Sequence, residues 1–111
     1  MRVAAPGDPF AALGDGTRRT ILEHLSASPL AVQEIADRLP VSRPAVSRHL
    51  RLLHEAGLVA VERDGLRRVY RLSDDGVETA EQYLRRIWGE RIARFTMYVE
   101  NTRPPDQEPM P

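Results

Sequence analysis

Apolar positions along the chain recur first at helical spacing, then in strict alternation, then at helical spacing again. Asp8-Pro9 opens a short helix, PFAAL, that Gly14 ends; proline suits a first turn because its missing N–H would have no helical partner there. Ile21, Leu22 and Leu25 mark a second helix reaching about Ala27, capped by Asp15 or Thr17 and broken by Ser28-Pro29. Val32, Ile35, Ala36 and Leu39 carry a third helix that Pro40 stops. Ser42 caps a fourth helix with Pro44 in its first turn, and Gly57 ends it where a left-handed residue is wanted. Val59 to Arg63, the pair Asp64-Gly65, and Leu66 to Leu72 then read as a hairpin. A two-residue turn at Asp64-Gly65 sets Val59 opposite Tyr70, Val61 opposite Arg68 and Glu62 opposite Arg67. Val59, Val61, Tyr70 and Leu72 would share the core face. Asp75 with Glu78 resembles a capping box opening a long last helix, to about Val99.

These elements imply one mainly helical domain with a small β-hairpin over residues 8–99, after a loose leader at 1–7. Residues 100–111, with four prolines from Asn101 onward and no periodicity, read as a disordered tail. No internal repeat is present.

The fourth helix has two unlike faces. At about 100° per residue, Val46, Leu50 and Leu53 cluster, flanked by Ala45, His49 and Leu52. Pro44, Ser47, Arg48 and Arg51 fall opposite, with Ser42 and Arg43 at the entry. A helix packed through the first set presents the second outward. Helix, turn, helix and basic hairpin is the order in which a small domain offers one helix to a DNA major groove. Arginine suits that place because its planar fork can bind guanine O6 and N7 together, and serine offers a short hydroxyl to a phosphate or base edge. His49 reads as a packing or phosphate-contacting residue, and His24 and His54 as ordinary helix-surface residues.

Charge supports that picture through its distribution. Sixteen basic and sixteen acidic residues cancel over the 111-residue chain. From Arg38 to Arg71, however, eight arginines face only Glu55, Glu62 and Asp64, a local excess of five positive charges. Arg63, Arg67 and Arg68 sit near the hairpin tip, where they would follow the DNA backbone or enter the minor groove, Arg67 and Arg68 alike. Arg71 lies farther from the tip and reads as structural. All sixteen basic residues are arginine.

Leu84, Ile87, Trp88, Ile92 and Phe95 form a stripe along the last helix, longer than so small a core can receive. With Phe10 and Leu13 of the first helix they are the candidate dimer interface. A two-fold dimer would place two reading helices on inverted half-sites.

DGTRRTILEHL, VQEIADRLPVSRPAVSRHLRLLHEAGLV and RDGLRRVYRL together resemble the ArsR/SmtB family of winged helix-turn-helix repressors, over roughly residues 8–98. The most specific part is SRPAVSRHLR followed by EAGLV. The resemblance implies an α-α-α-α-β-β-α order, a homodimer through the first and last helices, and repression at an inverted repeat in a promoter, often the repressor's own. It puts base-reading positions at Arg43, Pro44, Ser47 and Arg48, three of which lie on the polar face found from the periodicity.

Many members of that family sense metals through cysteine pairs or Asp/His ligands. This chain has no cysteine, its third helix reads Val32-Gln33-Glu34-Ile35-Ala36, and its last helix has no histidine. His24, His49 and His54 show no ligand spacing with one another. The chain looks closest to the subgroup without metal sites, whose members act as autorepressors or regulate metabolic and lipid genes. No phosphate loop, nucleophile–base spacing or cofactor motif is present, so an enzyme is not expected. Nor is there a signal-like start or an apolar run near the ~18 residues a membrane span needs, which points to the cytoplasm. The expectation is a metal-independent, sequence-specific regulator of double-stranded DNA, with no cofactor and an unidentified effector. The alternative is a winged-helix module that binds an acidic protein.

Overall fold

Local hydrogen bonds explain where each helix begins. The computed structural model describes residues 7–101. In α1 (Pro9–Leu13) the Asp8 carboxylate accepts from Phe10 N–H at 2.9 Å. In α2 (Gly16–Ala27) Asp15 accepts from Arg18 N–H at 3.1 Å, which settles the capping choice in favour of Asp15. Two residues of strand, β1 (Leu30–Ala31), then lead into α3 (Val32–Arg38). Ala31 has no side chain to cap α3, so the Glu34 carboxylate reaches back and accepts from Ala31 N–H at 2.8 Å. Ser42 caps α4 (Arg43–Glu55), its Oγ accepting from Ala45 N–H at 3.2 Å.

The end of α4 is fixed by a Schellman motif. Gly57 N–H donates to His54 O at 3.0 Å and Leu58 N–H to Leu53 O at 3.0 Å. Gly57 takes φ +72°, the left-handed conformation this motif requires. The same glycine receives the start of α5 (Asp75–Asn101), where Gly76 N–H donates to Gly57 O at 2.8 Å. A Cβ on Gly57 would stand 2.9 Å from Gly76 N, and one on Gly76 would stand 2.9 Å from Leu58 Cδ2 and closer still to Ala56 O. Only glycine fits on both sides of this contact.

Strands β2 (Val59–Asp64) and β3 (Arg67–Leu72) form the hairpin, and β1 pairs with the other edge of β3. The result is a three-stranded antiparallel sheet, one strand more than the hairpin alone. The register differs from the one expected. Val59 faces Leu72, Val61 faces Tyr70, Glu62 faces Val69, Arg63 faces Arg68 and Asp64 faces Arg67. The loop residues are therefore Gly65 and Leu66. Gly65 has φ +64° while Asp64 and Leu66 on either side do not have positive φ, the pattern of a type II′ turn with glycine in first place. The partners shift by two, so Val59, Val61, Tyr70 and Leu72 do share one side. Of these only Val59 and Tyr70 reach the core, Val61 and Leu72 staying 37% and 40% exposed because the sheet runs past the helices. Arg63 and Arg68 share that side with them.

Ile21, Ile35, Val46, Leu50 and Leu53 have 0% of their surface exposed and form the heart of the core with Leu25, Leu30, Leu58, Val59 and Tyr70. Each such side chain is worth about 1.5–3 kcal/mol of burial. Three of these five are on α4, so the core sets the rotation of that helix.

The chain divides into two units, one ending at Ala80 and one beginning at Glu81. Within the second, Arg85 pairs with Glu81 at 3.0 Å and the Arg86 guanidinium lies 5.3 Å from the Tyr83 ring centroid. The last helix is not continuous, because Trp88 has non-helical torsions, φ −119° and ψ 19°. Gly89 beside it has the weakest helix propensity short of proline. The capping box expected from Asp75 is displaced as well. Glu78 N–H donates to Asp74 O, so Asp75 already lies inside the helix. The helix also runs through Glu100 and Asn101, which the sequence assigns to the tail. The rest of that tail, the leader before Gly7 and the Ile92 side chain lie outside the described residues.

Candidate nucleic-acid interface

With Val46, Leu50 and Leu53 turned inward, the opposite side of α4 is open. Ser42, Arg43, Pro44, Ser47, Arg48 and Arg51 are all exposed there, as the periodicity predicts. His49 is half-buried on the packing side. Its Nδ1 lies 3.2 Å from an Arg18 guanidinium nitrogen. A guanidinium only donates, so Nδ1 accepts and the ring proton sits on the other nitrogen. The same Arg18 donates to Ala12 O at 2.8 Å and Ala11 O at 3.4 Å, and Arg19 donates to Leu13 O at 2.6 Å. These two arginines thus tie down the last carbonyls of α1, and Arg18 joins them to the back of α4. The Arg18 backbone N–H holds the Asp15 carboxyl below its ordinary value, and the Arg18 charge adds to that effect.

The open face of α4 has two edges. Arg43, Ser47, Arg51 and His54 follow one ridge at spacings of four, four and three residues, toward the hairpin. Arg48 lies about 140° around the helix from Arg43 at 100° per residue, on the far edge beside Glu55. Between the first ridge and the hairpin is a cleft of about 470 Å³ lined by Val32, Arg43, Ser47, Arg51, His54, Val61, Arg68 and Tyr70. His54 is the residue the sequence missed. The signal was present, since it lies only about 20° from Arg43 around the helix at 100° per residue.

The hairpin separates the three wing arginines. Arg68 and Arg63 are opposite one another on the face that lines this cleft. Arg67 is on the other face, and its guanidinium is 2.7 Å from Glu34 Oε1, the same oxygen that caps α3. Arg71, on that face too, pairs with Glu62 at 2.7 Å, which bears out its structural assignment. The outer face of the wing is internally neutralised, whereas no carboxylate lines the cleft side. Leu66 at the tip is fully exposed.

The apolar residues proposed for dimerisation divide similarly. Phe10, Leu84, Ile87, Trp88 and Phe95 are exposed at 41, 39, 52, 45 and 68%. Leu13 instead packs against the core of its own chain. Among the described residues no group of three His, Asp or Glu side chains could hold a metal ion, and no helix is long and apolar enough to cross a membrane.

Comparison with known proteins matches this architecture. A helix-turn-helix domain model covers residues 13–62, from the end of α1 into β2. The HTH-type transcriptional regulator Rv2034 of Mycobacterium tuberculosis is 43% identical over 97 residues, 87% of this chain and 91% of that protein. An ArsR-like transcriptional regulator from Rhodococcus sp. RHA1 superposes with a TM-score of 0.67 at 33% identity, covering 87% of this chain and 92% of that one. The homodimeric winged helix-turn-helix DNA-binding domain of Mb0332 from Mycobacterium bovis, described as a possible ArsR-family transcriptional regulator, superposes with a TM-score of 0.58 at 30% identity, covering 73% and 75%. A two-faced helix turned by its core, a hairpin beside it and relatives matched over most of their length agree: this chain belongs to the ArsR/SmtB family of winged helix-turn-helix transcriptional regulators.

Proposed function

We propose that the chain is a dimeric, sequence-specific transcriptional repressor acting in the cytoplasm on an inverted repeat in a promoter, its own among the candidates. The observation that carries this is the pairing pattern of the arginines. Arg43, Arg48 and Arg51 on α4 and Arg63 and Arg68 on the inner wing face are exposed, and none of them is among the ion pairs found in the described residues. An array of free guanidiniums around a helix of groove-entering size supports α4 in the major groove and the wing on the backbone or minor groove. Arg48, Ser47 and Pro44, with Arg43 at the entry, are the candidates for reading bases.

Dimerisation is supported by the exposed apolar residues of α5 and by Phe10, and by the homodimeric relative. Control by a metal is not part of the proposal, nor is an enzymatic step. The relatives are transcriptional regulators, which disfavours a protein-interaction module.

The decisive experiment is a footprint on the promoter upstream of the protein's own gene, followed by competition with scrambled duplex. Protection of an inverted repeat, with Arg48→Ala costing about 1–3 kcal/mol and relaxing discrimination at one base step per half-site, is the expected result. Equal affinity for scrambled duplex would refute sequence-specific recognition.

A further inference from the structure

We propose that the cleft between α4 and the inner face of the wing binds a small organic anion with an apolar body, an aryl or acyl phosphate or carboxylate, and that this occupant competes with DNA. The competition rests on α4 being the DNA-reading helix; the binding site itself does not.

Three cations of the cleft, Arg43, Arg51 and Arg68, come from two different elements and face a common space without a carboxylate among its lining residues. Guanidiniums gathered in this way attract an anion, and their planar forks match the paired oxygens of a carboxylate or phosphate. The Ser47 hydroxyl and the His54 imidazole add hydrogen-bonding groups along the same ridge. These features alone would also serve a DNA phosphate.

The floor of the cleft is what distinguishes the two. Val32, Val61 and Tyr70 line the same cleft as the arginines, and Val61 keeps 37% of its surface exposed beside the buried Tyr70. A phosphodiester backbone riding on the guanidiniums could offer that floor only the edge of a deoxyribose, whose ether oxygen is hydrated. A ring or short acyl chain lays an apolar body on it, with its charged head among the arginines. The volume of about 470 Å³ falls within the range of small-molecule pockets and suits such a ligand.

The test uses the full chain, isotopically labelled, titrated at constant ionic strength with phenyl phosphate and separately with inorganic phosphate. Amide shifts of Ser47, Arg51, Val61 and Tyr70 report occupancy, and displacement of a labelled operator reports competition. Phenyl phosphate should bind about tenfold more tightly than inorganic phosphate, shift these amides together, and raise the apparent Kd for operator in proportion to its concentration. Val61→Ser, confirmed folded by its spectrum, should erase the preference for phenyl phosphate and leave inorganic phosphate binding in place. Equal binding of the two probes would overturn the proposal and leave only a phosphate-contacting surface. Shifts centred elsewhere, or no binding by a protein that still binds operator, would overturn it as well. Loss of operator binding by the unmodified chain would count against the repressor function, while the titration would still decide the site.

Discussion

Arg67 and Arg68 are adjacent in sequence and opposite in circumstance, and replacing each by alanine separates their roles. Arg68 belongs to the open cleft face, whereas Arg67 stands 2.7 Å from a Glu34 oxygen that also accepts from Ala31 N–H. A phosphate contact made by Arg68 releases counterions and contributes about 0.9 to the slope of log K against log salt. A dimer carries two wings, so Arg68→Ala should flatten the slope by about 1.8 units. Between 50 and 200 mM salt, the difference amounts to a roughly twelvefold change in the ratio of variant to parent affinity. Arg67 must leave Glu34 to reach a phosphate, so Arg67→Ala should change the slope by well under one unit. Its ion pair is exposed and worth about 0–1 kcal/mol to stability, so the fold should tolerate the loss. Fluorescence anisotropy of a labelled operator across a salt series measures both slopes. Glu34→Gln provides the converse: it frees Arg67 and should steepen the slope. Equal flattening by the two alanine variants would refute the division of the wing into a neutralised and a charged face.

Three other outcomes follow from the geometry. Asp15→Ala should cost about 1 kcal/mol by urea unfolding at neutral pH, the usual worth of an N-cap. Because the folded-state pKa of Asp15 is lowered, that contribution is full above the ordinary carboxylate value of 3.8 and fades as pH falls through the lower folded value, so parent and variant should converge in acid. Gly76→Ala drives a methyl into Ala56 O and Leu58, and should destabilise by roughly 1–3 kcal/mol in the same assay. Ile87→Arg, at a position 52% exposed on the last helix, should yield monomers by sedimentation and remove tight operator binding; a monomer that still bound tightly would sink the dimer.

The sequence made legible what depends on short-range chemistry. Ser42 as a cap, Gly57 as a stop and the apolar stripe of α4 are local, and they fixed the open face of that helix in advance. The hairpin was recognisable, but its register was not. Both Asp64-Gly65 and Gly65-Leu66 offer a glycine to a two-residue turn, and the pairing of Asp64 with Arg67, with Asp64 lacking the positive φ a type I′ turn demands, selects the second. β1 escaped notice because two residues carry no alternation; it is a strand only because β3 offers it an edge. Arg67 and Glu34 are 33 positions apart, so nothing local marks Arg67 as paired. Likewise, the kink at Trp88 leaves no trace in an apolar stripe that continues across it.

The contact between Gly57 and Gly76 ties the C-terminal end of α4 directly to the first turn of α5. No side chain cushions it, and a direct backbone hydrogen bond of 2.8 Å closes it. The 13 residues of α4 extend about 20 Å from that pivot, at about 1.5 Å per residue. A rotation of only about 5° at the pivot would therefore swing Arg43 by roughly 1.7 Å, well beyond the few tenths of an ångström that a good hydrogen bond tolerates. On the proposed reading of α4, any such rotation that its buried Val46, Leu50 and Leu53 permit grows along the helix from the glycine pair toward Arg43.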